Sequence, residues 1–253
     1  MRRWLLPLLA IVVLLGIWEL YVKADNVSSL ILPSPIDVVR ALVDDRGTLW
    51  HNLKPTAVEI LLGVVLGATF ALLAAVAMHF SSIVREALYP LLVASQTIPI
   101  PIVAPLLVVW LGFGLLPKLV VVALVSFFPV VVTTLSGLAA VDPDLVKLMR
   151  TFDAGRWQTF TRVELPSALP GLFSGAKVAV VFSVIAAILA EQAGSNSGLG
   201  ILLTLTIENL ETAEAFASVF VLAGLAILLF ALLTLAERRA LPWAHRQRET
   251  ESR

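Results

Sequence analysis

Long apolar runs alternate along this chain with short clusters of charged and turn-forming residues. One run follows the basic start Met1-Arg2-Arg3-Trp4 and reaches Val22, and further runs cover 56–78, 87–112, 117–140, 171–190 and 215–236. A helix rises 1.5 Å per residue, so about 20 residues cross about 30 Å of hydrocarbon. Each run is long enough. In lipid only helices and closed barrels satisfy their own backbone groups, and these runs lack the two-residue alternation of barrel strands. The pattern therefore predicts an all-α membrane protein with six transmembrane helices. The first run also has the basic and apolar regions of a signal peptide, but no small-x-small cleavage pattern follows it, and it is read as a retained span.

Within this pattern the prolines mark breaks. Leu32-Pro33-Ser34-Pro35 interrupts the chain after the first run, and 36–43 then resumes with apolar residues at helical spacing. A short helix on the outer surface and an ordinary connector both fit. Pro90, Pro99, Pro101 and Pro105 fall in the third run, where each removes a backbone donor, so a broken or kinked element is predicted near 96–105. A break at membrane depth is tolerated where protein or a water-filled cavity receives the freed groups. Gly63, Gly67, Ala71, Ala74 and Ala75 in the second run suit close helix packing.

Composition agrees with a lipid environment. Of 253 residues, 59% are apolar and 14% charged, too few charges to clothe a water-soluble domain of this size. The net charge is zero, which gives no argument for nucleic acid as a partner. No cysteine is present, which excludes disulfides and thiolate metal sites, and His51, His79 and His245 have no metal-ligand spacing. Lys and Arg concentrate in the flanks on the side of residues 1–3, 142–170 and the C-terminus, which predicts both termini in the cytoplasm.

Polar side chains at membrane depth are costly and tend to face a bundle interior or a cavity. Ser95, Gln96 and Thr97 beside the proline break, Glu59 in the second run, Ser183 in the fifth, and Glu191 with Gln192 at its outer end are thus candidates for lining a translocation pathway. For Glu59 an alternative is a position near the outer interface that reaches headgroup water. For Glu191 and Gln192 the alternative is a solvated helix end. The spans show no paired acid and base groups of the kind an intramembrane enzyme needs. A secondary transporter is a second alternative, but the halves show no convincing repeat.

The segment 142–170 is too polar to span. Val146, Met149, Phe152, Trp157, Phe160 and Val163 recur at three, four and five spacings among charges, which predicts one or two short amphipathic helices, with a plain surface loop as the alternative. Asp142-Pro143 suits a helix cap and first position, and Leu165-Pro166 is expected to close the segment. The run from Phe152 to Gly171 resembles the cytoplasmic "EAA" loop of binding-protein-dependent importer permeases. Anchoring on Leu165-Pro166 sets the family's Ile at Val163, its Gly at Asp153 and its Glu-Ala-Ala at Lys147-Leu148-Met149. Leu32-Pro33-Ser34-Pro35, Gln96-Thr97-Ile98-Pro99, Trp110-Leu111-Gly112-Phe113-Gly114 and Ser197-Gly198-Leu199-Gly200 extend the resemblance along most of the chain, toward the nitrate, sulfonate and taurine subgroup and the permeases for thiamine pyrimidine precursors.

This resemblance implies a type I ABC importer permease, of MetI-like fold, in a bacterial inner membrane. It implies one membrane domain over 1–253, with 1–50 as first span and outer connector, 51–240 as permease core, 142–170 as coupling loop and 241–253 as a cytoplasmic tail. Implied partners are a second permease copy, a dimer of cytoplasmic ATPase subunits, an extracytoplasmic solute-binding protein and the lipid bilayer. ATP and Mg would sit on the ATPase, since no Gly-x-x-x-x-Gly-Lys-Ser/Thr loop occurs in this chain. The chain itself is then expected to be no enzyme. Lys147, Arg150, Phe152, Asp153, Arg156, Trp157, Leu165 and Pro166 are the implied residues of coupling to the ATPase.

Overall fold

The computed structural model describes residues 2–25 and 27–243, and over these it is helical with no strand. The tail expected at 241–253 lies outside the described residues from 244 onward. The described chain falls into two compact units, one made of residues up to Ala57 with Ser195–Leu225, the other of Val58–Gly194 with residues from Ala226 on.

The first unit holds α1 (Arg2–Ala24), α2 (Pro35–Asp44), the start of α3 (Arg46–Phe80), α10 (Leu199–Glu208) and the start of α11 (Thr212–Ala240). The segment at 36–43 is thus a helix. Ser34 caps it, with its hydroxyl accepting from Asp37 N–H while the Asp37 carboxylate accepts from Ser34 N–H, and Pro35 occupies the first turn. The amino end of α10 takes its acceptors from α3: Gly198 N–H donates to Asn52 Oδ1 and Leu199 N–H to Thr56 Oγ1, both at 2.9 Å. Those amides have no intrahelical partner, so two polar side chains of α3 fix where α10 begins. Trp18 of α1 packs on Phe216 and stacks on Phe220 of α11.

The second unit contains the rest of α3, then α4 (Ser82–Ser95), α5 (Ile100–Leu111), α6 (Leu115–Ala139), α7 (Pro143–Thr151), α8 (Arg156–Thr159), α9 (Leu165–Gly194) and the end of α11. Its core gathers Ala71, Ala75 and Met78 of α3, Val130, Val131 and Leu135 of α6, and Ala176 and Ala179 of α9. Lipid offers no hydrophobic force between helices, so association rests on close fit and polar links. Gly67 supplies fit on α3: a Cβ there would sit 2.5 Å from the Ala123 carbonyl oxygen of α6. On α9, a Cβ at Gly175 would sit 2.7 Å from the Pro129 carbonyl oxygen and 2.8 Å from Val130 Cα, and would overlap Thr133 Oγ1. Larger residues would force these backbones apart.

Among the described residues, α3, α6, α11 and the continuous helix Arg156–Gly194 are long and apolar enough to cross a membrane, and α4 with α5 adds a fifth if that pair counts as one span. The pair bends by 102° at a break of a few residues, 96–99, inside the interval where four prolines predicted a break. Pro105 lies within α5, so the interruption is shorter than the sequence suggested.

The expectation that Leu165-Pro166 closes the polar segment is corrected by the structure. Residues 160–164 form a π-helical turn that runs straight into α9, and Leu165 N–H donates to Phe160 O. A π turn shifts the hydrogen-bond ladder by one residue. The ring of Pro166, which has no N–H, therefore follows directly on an irregularity that already exists, and the helix passes through.

Candidate functional site

The polar segment folds as a helical projection. Asp142 caps α7, its carboxylate accepting from Asp144 N–H at 2.9 Å, with Pro143 in the first turn. The helix ends on a left-handed residue, Asp153 with φ 57°, where Asp153 N–H donates to Arg150 O and Ala154 N–H to Met149 O. Glycine is the usual occupant of such a terminus, and Asp is among the few other residues that tolerate it. Asp153 stands where the resemblance sets the family's glycine, a residue type suited to the same left-handed backbone.

α8 follows at once, with Gly155 N–H donating to Gln158 Oε1 at 3.2 Å. Lys147 pairs with Asp144 at 2.7 Å on the exposed face of α7, and Arg150, exposed as well, borders a cavity of about 440 Å³ together with His79, Arg156 and Glu164. Phe152 is 73% exposed and Trp157 63%. Leu165 and Pro166 are half-buried at the start of α9. The projection is attached to the end of α3 at several points. Arg156 Nη2 donates to Phe80 O at 2.9 Å, the guanidinium lies 4.8 Å from the Phe80 ring centre, and His79 Nε2 lies 2.8 Å from Glu164 Oε2. Sequence reading passed over His79, Phe80 and Glu164, which lie 76 to 85 residues from their partners.

The pathway candidates separate into two sets. Ser95, Gln96 and Thr97 are exposed at the α4–α5 bend, with the Ser95 hydroxyl donating to Leu92 O and Thr97 to Ala94 O. Gln192 is exposed too. Ser183 is fully buried and donates to Val180 O within α9. Glu59 is 1% exposed and forms an ion pair with Lys118 of α6, 7% exposed; Glu191 of α9, also fully buried, faces the same carboxylate. Glu59 therefore meets an ammonium group inside the second unit rather than headgroup water. The sequence alone showed no facing acid and base groups, yet this one joins three helices. A second buried pair, Lys177 with Glu237, ties α9 to the end of α11, and Lys177 Nζ lies 5.9 Å from the Phe230 ring centre.

Known proteins share both the sequence and the fold. Residues 63–242 match the family described as "Binding-protein-dependent transport system inner membrane component". The formylaminopyrimidine transport permease protein ThiX of Halalkalibacterium halodurans is 35% identical, with 95% of this chain aligned to 96% of that protein. The putative aliphatic sulfonates transport permease protein SsuC of Bacillus subtilis is 30% identical over 95% of this chain and 88% of its own length. A chain of the MetNI methionine ABC transporter in an inward-facing conformation superposes with a TM-score of 0.55 at 22% identity, covering 77% of this chain and 93% of that one. The family match over most of the chain, the spanning helices and the relatives in permeases agree, and the chain belongs to the binding-protein-dependent transport system inner membrane components, the permease subunits of ABC importers.

Proposed function

We propose that this permease passes a small solute, delivered by an extracytoplasmic binding protein, across the inner membrane. A thiamine pyrimidine precursor is the first candidate, and a sulfonate, taurine or nitrate the second. The formylaminopyrimidine and sulfonate permeases among its relatives support that choice. α1 serves as a sixth span beside the four long helices and the bent pair. Both termini then face the cytoplasm, a reading that the Lys and Arg distribution supports, and the α7–α8 projection lies on that side.

One observation carries the mechanism: α7, its left-handed turn and α8 present Phe152 and Trp157 to solvent, 73% and 63% exposed, beside Arg150 and Arg156. Large aromatic and Arg side chains are the residues in which interface energy concentrates. A cytoplasmic ATPase subunit, holding ATP and Mg, takes this projection in a surface groove. Two copies of the permease pair in the membrane, and nucleotide-driven closure of two ATPases switches the pathway between its inward and outward openings. Ser95, Gln96 and Thr97 at the α4–α5 bend, with Gln192, line that pathway.

The test is co-purification of the permease with its cognate ATPase. Phe152→Ala is the cleaner probe, because Trp157 also packs against Phe80. Loss of an anchor of this kind weakens association by about 30-fold or more. Intact association and intact uptake in both Phe152→Ala and Trp157→Ala would sink the docking assignment. For the solute, a ligand-binding screen on the cognate binding protein, covering pyrimidines, sulfonates and small anions, decides among the candidates.

A further inference from the structure

We propose that the end of α3, His79 with Phe80, is a second receiver of the motion of α8 and passes it through a one-residue joint at Ser81 to α4 and the bend at 96–99. The proposal rests on the reading that the ATPase engages α7–α8. Arg156 and Phe80 act in it as positioning residues.

Continuity of the chain offers an obvious route from α8 into α9, but that route is stiff. α9 lies against α6 with backbone-close contacts: a Cβ at Gly171 would sit 2.6 Å from the Thr133 carbonyl oxygen, and a Cβ at Gly137 would sit 3.1 Å from Ala168 Cα. Displacing α9 alone would break this fit. Between α8 and α9, moreover, stands the π turn 160–164, which breaks the regular hydrogen-bond ladder between the two.

The route across to α3 is built differently. Phe80 is the last residue of α3, and its carbonyl has no later turn of that helix to serve. Arg156, 76 residues further along, supplies the missing donor and places its positive charge at the negative end of the helix. Around this bond the Phe80 ring meets Phe160 edge-on at 4.9 Å and Trp157 at 6.0 Å, while Phe160 lies 5.6 Å from His79. The 2.8 Å contact of His79 with Glu164 closes the far side. Five residues of α8 and the π turn, Arg156, Trp157, Thr159, Phe160 and Glu164, thus surround the last turn of α3, four of them by direct contact and Thr159 through the shared cavity.

Beyond Phe80 the helix is interrupted at one residue. Ser81 alone separates α3 from α4, and it caps α4 by accepting from Val84 N–H. Within one copy of the chain α4 has no buried residue, and Val84 and Leu92 are its residues packed against the core. A displacement delivered at Phe80 therefore meets less resistance in α4 than one delivered into α9. The helix that yields ends at Ser95, next to Gln96 and Thr97.

The chain has no cysteine, so a single Gln96→Cys gives its one thiol, and a cysteine-free ATPase makes that reporter specific in the full complex in nanodiscs. Its labelling rate by a water-soluble methanethiosulfonate is measured without nucleotide and after trapping with ATP and vanadate. With Phe80 present, trapping is expected to change the rate by about 2- to 30-fold, the range of a coupling of ordinary size. Phe80→Ala removes most of that change while ATPase co-purification and ATP hydrolysis are kept, and Phe80→Trp, which retains a ring, restores it. A nucleotide-dependent change that survives Phe80→Ala overturns the proposal, and so does an unchanged rate at Gln96→Cys in the parent. Should Phe80→Ala fail to assemble, Phe80→Leu is used with the same two outcomes. Failure of the docking reading shows separately, as co-purification that is indifferent to Phe152→Ala.

Discussion

Replacing Lys118 with Met would test how the second unit holds its buried charges. Glu59 and Glu191 are 1% and 0% exposed, and Lys118 is 7% exposed. Each charge gave up several kcal/mol of hydration on burial, and attraction across the pair repays about 4 kcal/mol at 4 Å and an effective dielectric constant of about 20. The intact pair thus adds no net stability. Removing the ammonium alone leaves the cost of burial without the repayment, and broken buried pairs lose about 3–5 kcal/mol. For a chain of this size that corresponds to a melting shift of about 6–20 °C. Glu59→Gln together with Lys118→Met removes both members of the ion pair at nearly constant volume and should regain part of the loss, Glu191 remaining buried beside them. The assay is thermal unfolding of detergent-purified protein, followed by size-exclusion chromatography with fluorescence detection, in a complete double-mutant cycle. A Lys118→Met protein that melts within about 2 °C of the parent would refute the reasoning, because the measurable cost of an uncompensated buried charge is far larger. So would strictly additive effects, since residues in contact should couple.

Other expectations follow from backbone geometry. Asp153→Gly should hold or raise stability and leave ATPase association intact, whereas Asp153→Val, with a branched side chain at φ 57°, should lose about 1–2 kcal/mol in thermal unfolding. Leu210 has φ 62° at the end of α10, where Glu211 N–H donates to Thr206 O and Leu210 N–H to Ile207 O; Leu210→Gly should therefore melt at or above the parent temperature, and a clear drop would show that the side chain matters more than the strain. Ser34→Ala removes the cap of α2 and should cost about 1 kcal/mol, read as about fivefold faster hydrogen exchange of the amides at 37–39, with no change confined to α10.

The parts legible in the sequence were those governed by neighbours along the chain. The cap at Asp142 lies within two residues of the amide it serves, and the bend at 96–99 is marked by its own prolines. Helical spacing in 142–170 likewise reports a local amphipathic face. The long-range pairs were hidden for the same reason. Lys118 stands 59 residues from Glu59, and as a flanking charge beside an apolar run it looks like a loop residue until α3 and α6 are seen side by side. Glu191 looks like a helix end, and Lys177 like an isolated charge in a span. Pro166 misled because a proline after a polar segment usually closes it, and only the hydrogen-bond ladder shows that the preceding turn is π-helical. At the candidate site, exposure of Phe152 and Trp157 fits the surface expected there. The anchoring of Arg156 on Phe80 needed coordinates.

The fit of α6 against α9 has a consequence for how such a protein can change shape. At Gly137, Gly171 and Gly175 their contact is close to backbone on backbone, beside the side-chain packing of Val130, Val131 and Leu135 on Ala176 and Ala179. Dispersion falls off steeply, and a gap of about 0.5–1 Å already forfeits a quarter to a half of each contact. No intermediate separation is comfortable, because lipid tails cannot enter so thin a crevice. The two helices are therefore engaged or lost, and they travel as a single rigid strut. Any alternation between two open faces is then taken up where helices are interrupted, and among the described residues such interruptions stand at Ser81, at 96–99 and at the π turn 160–164.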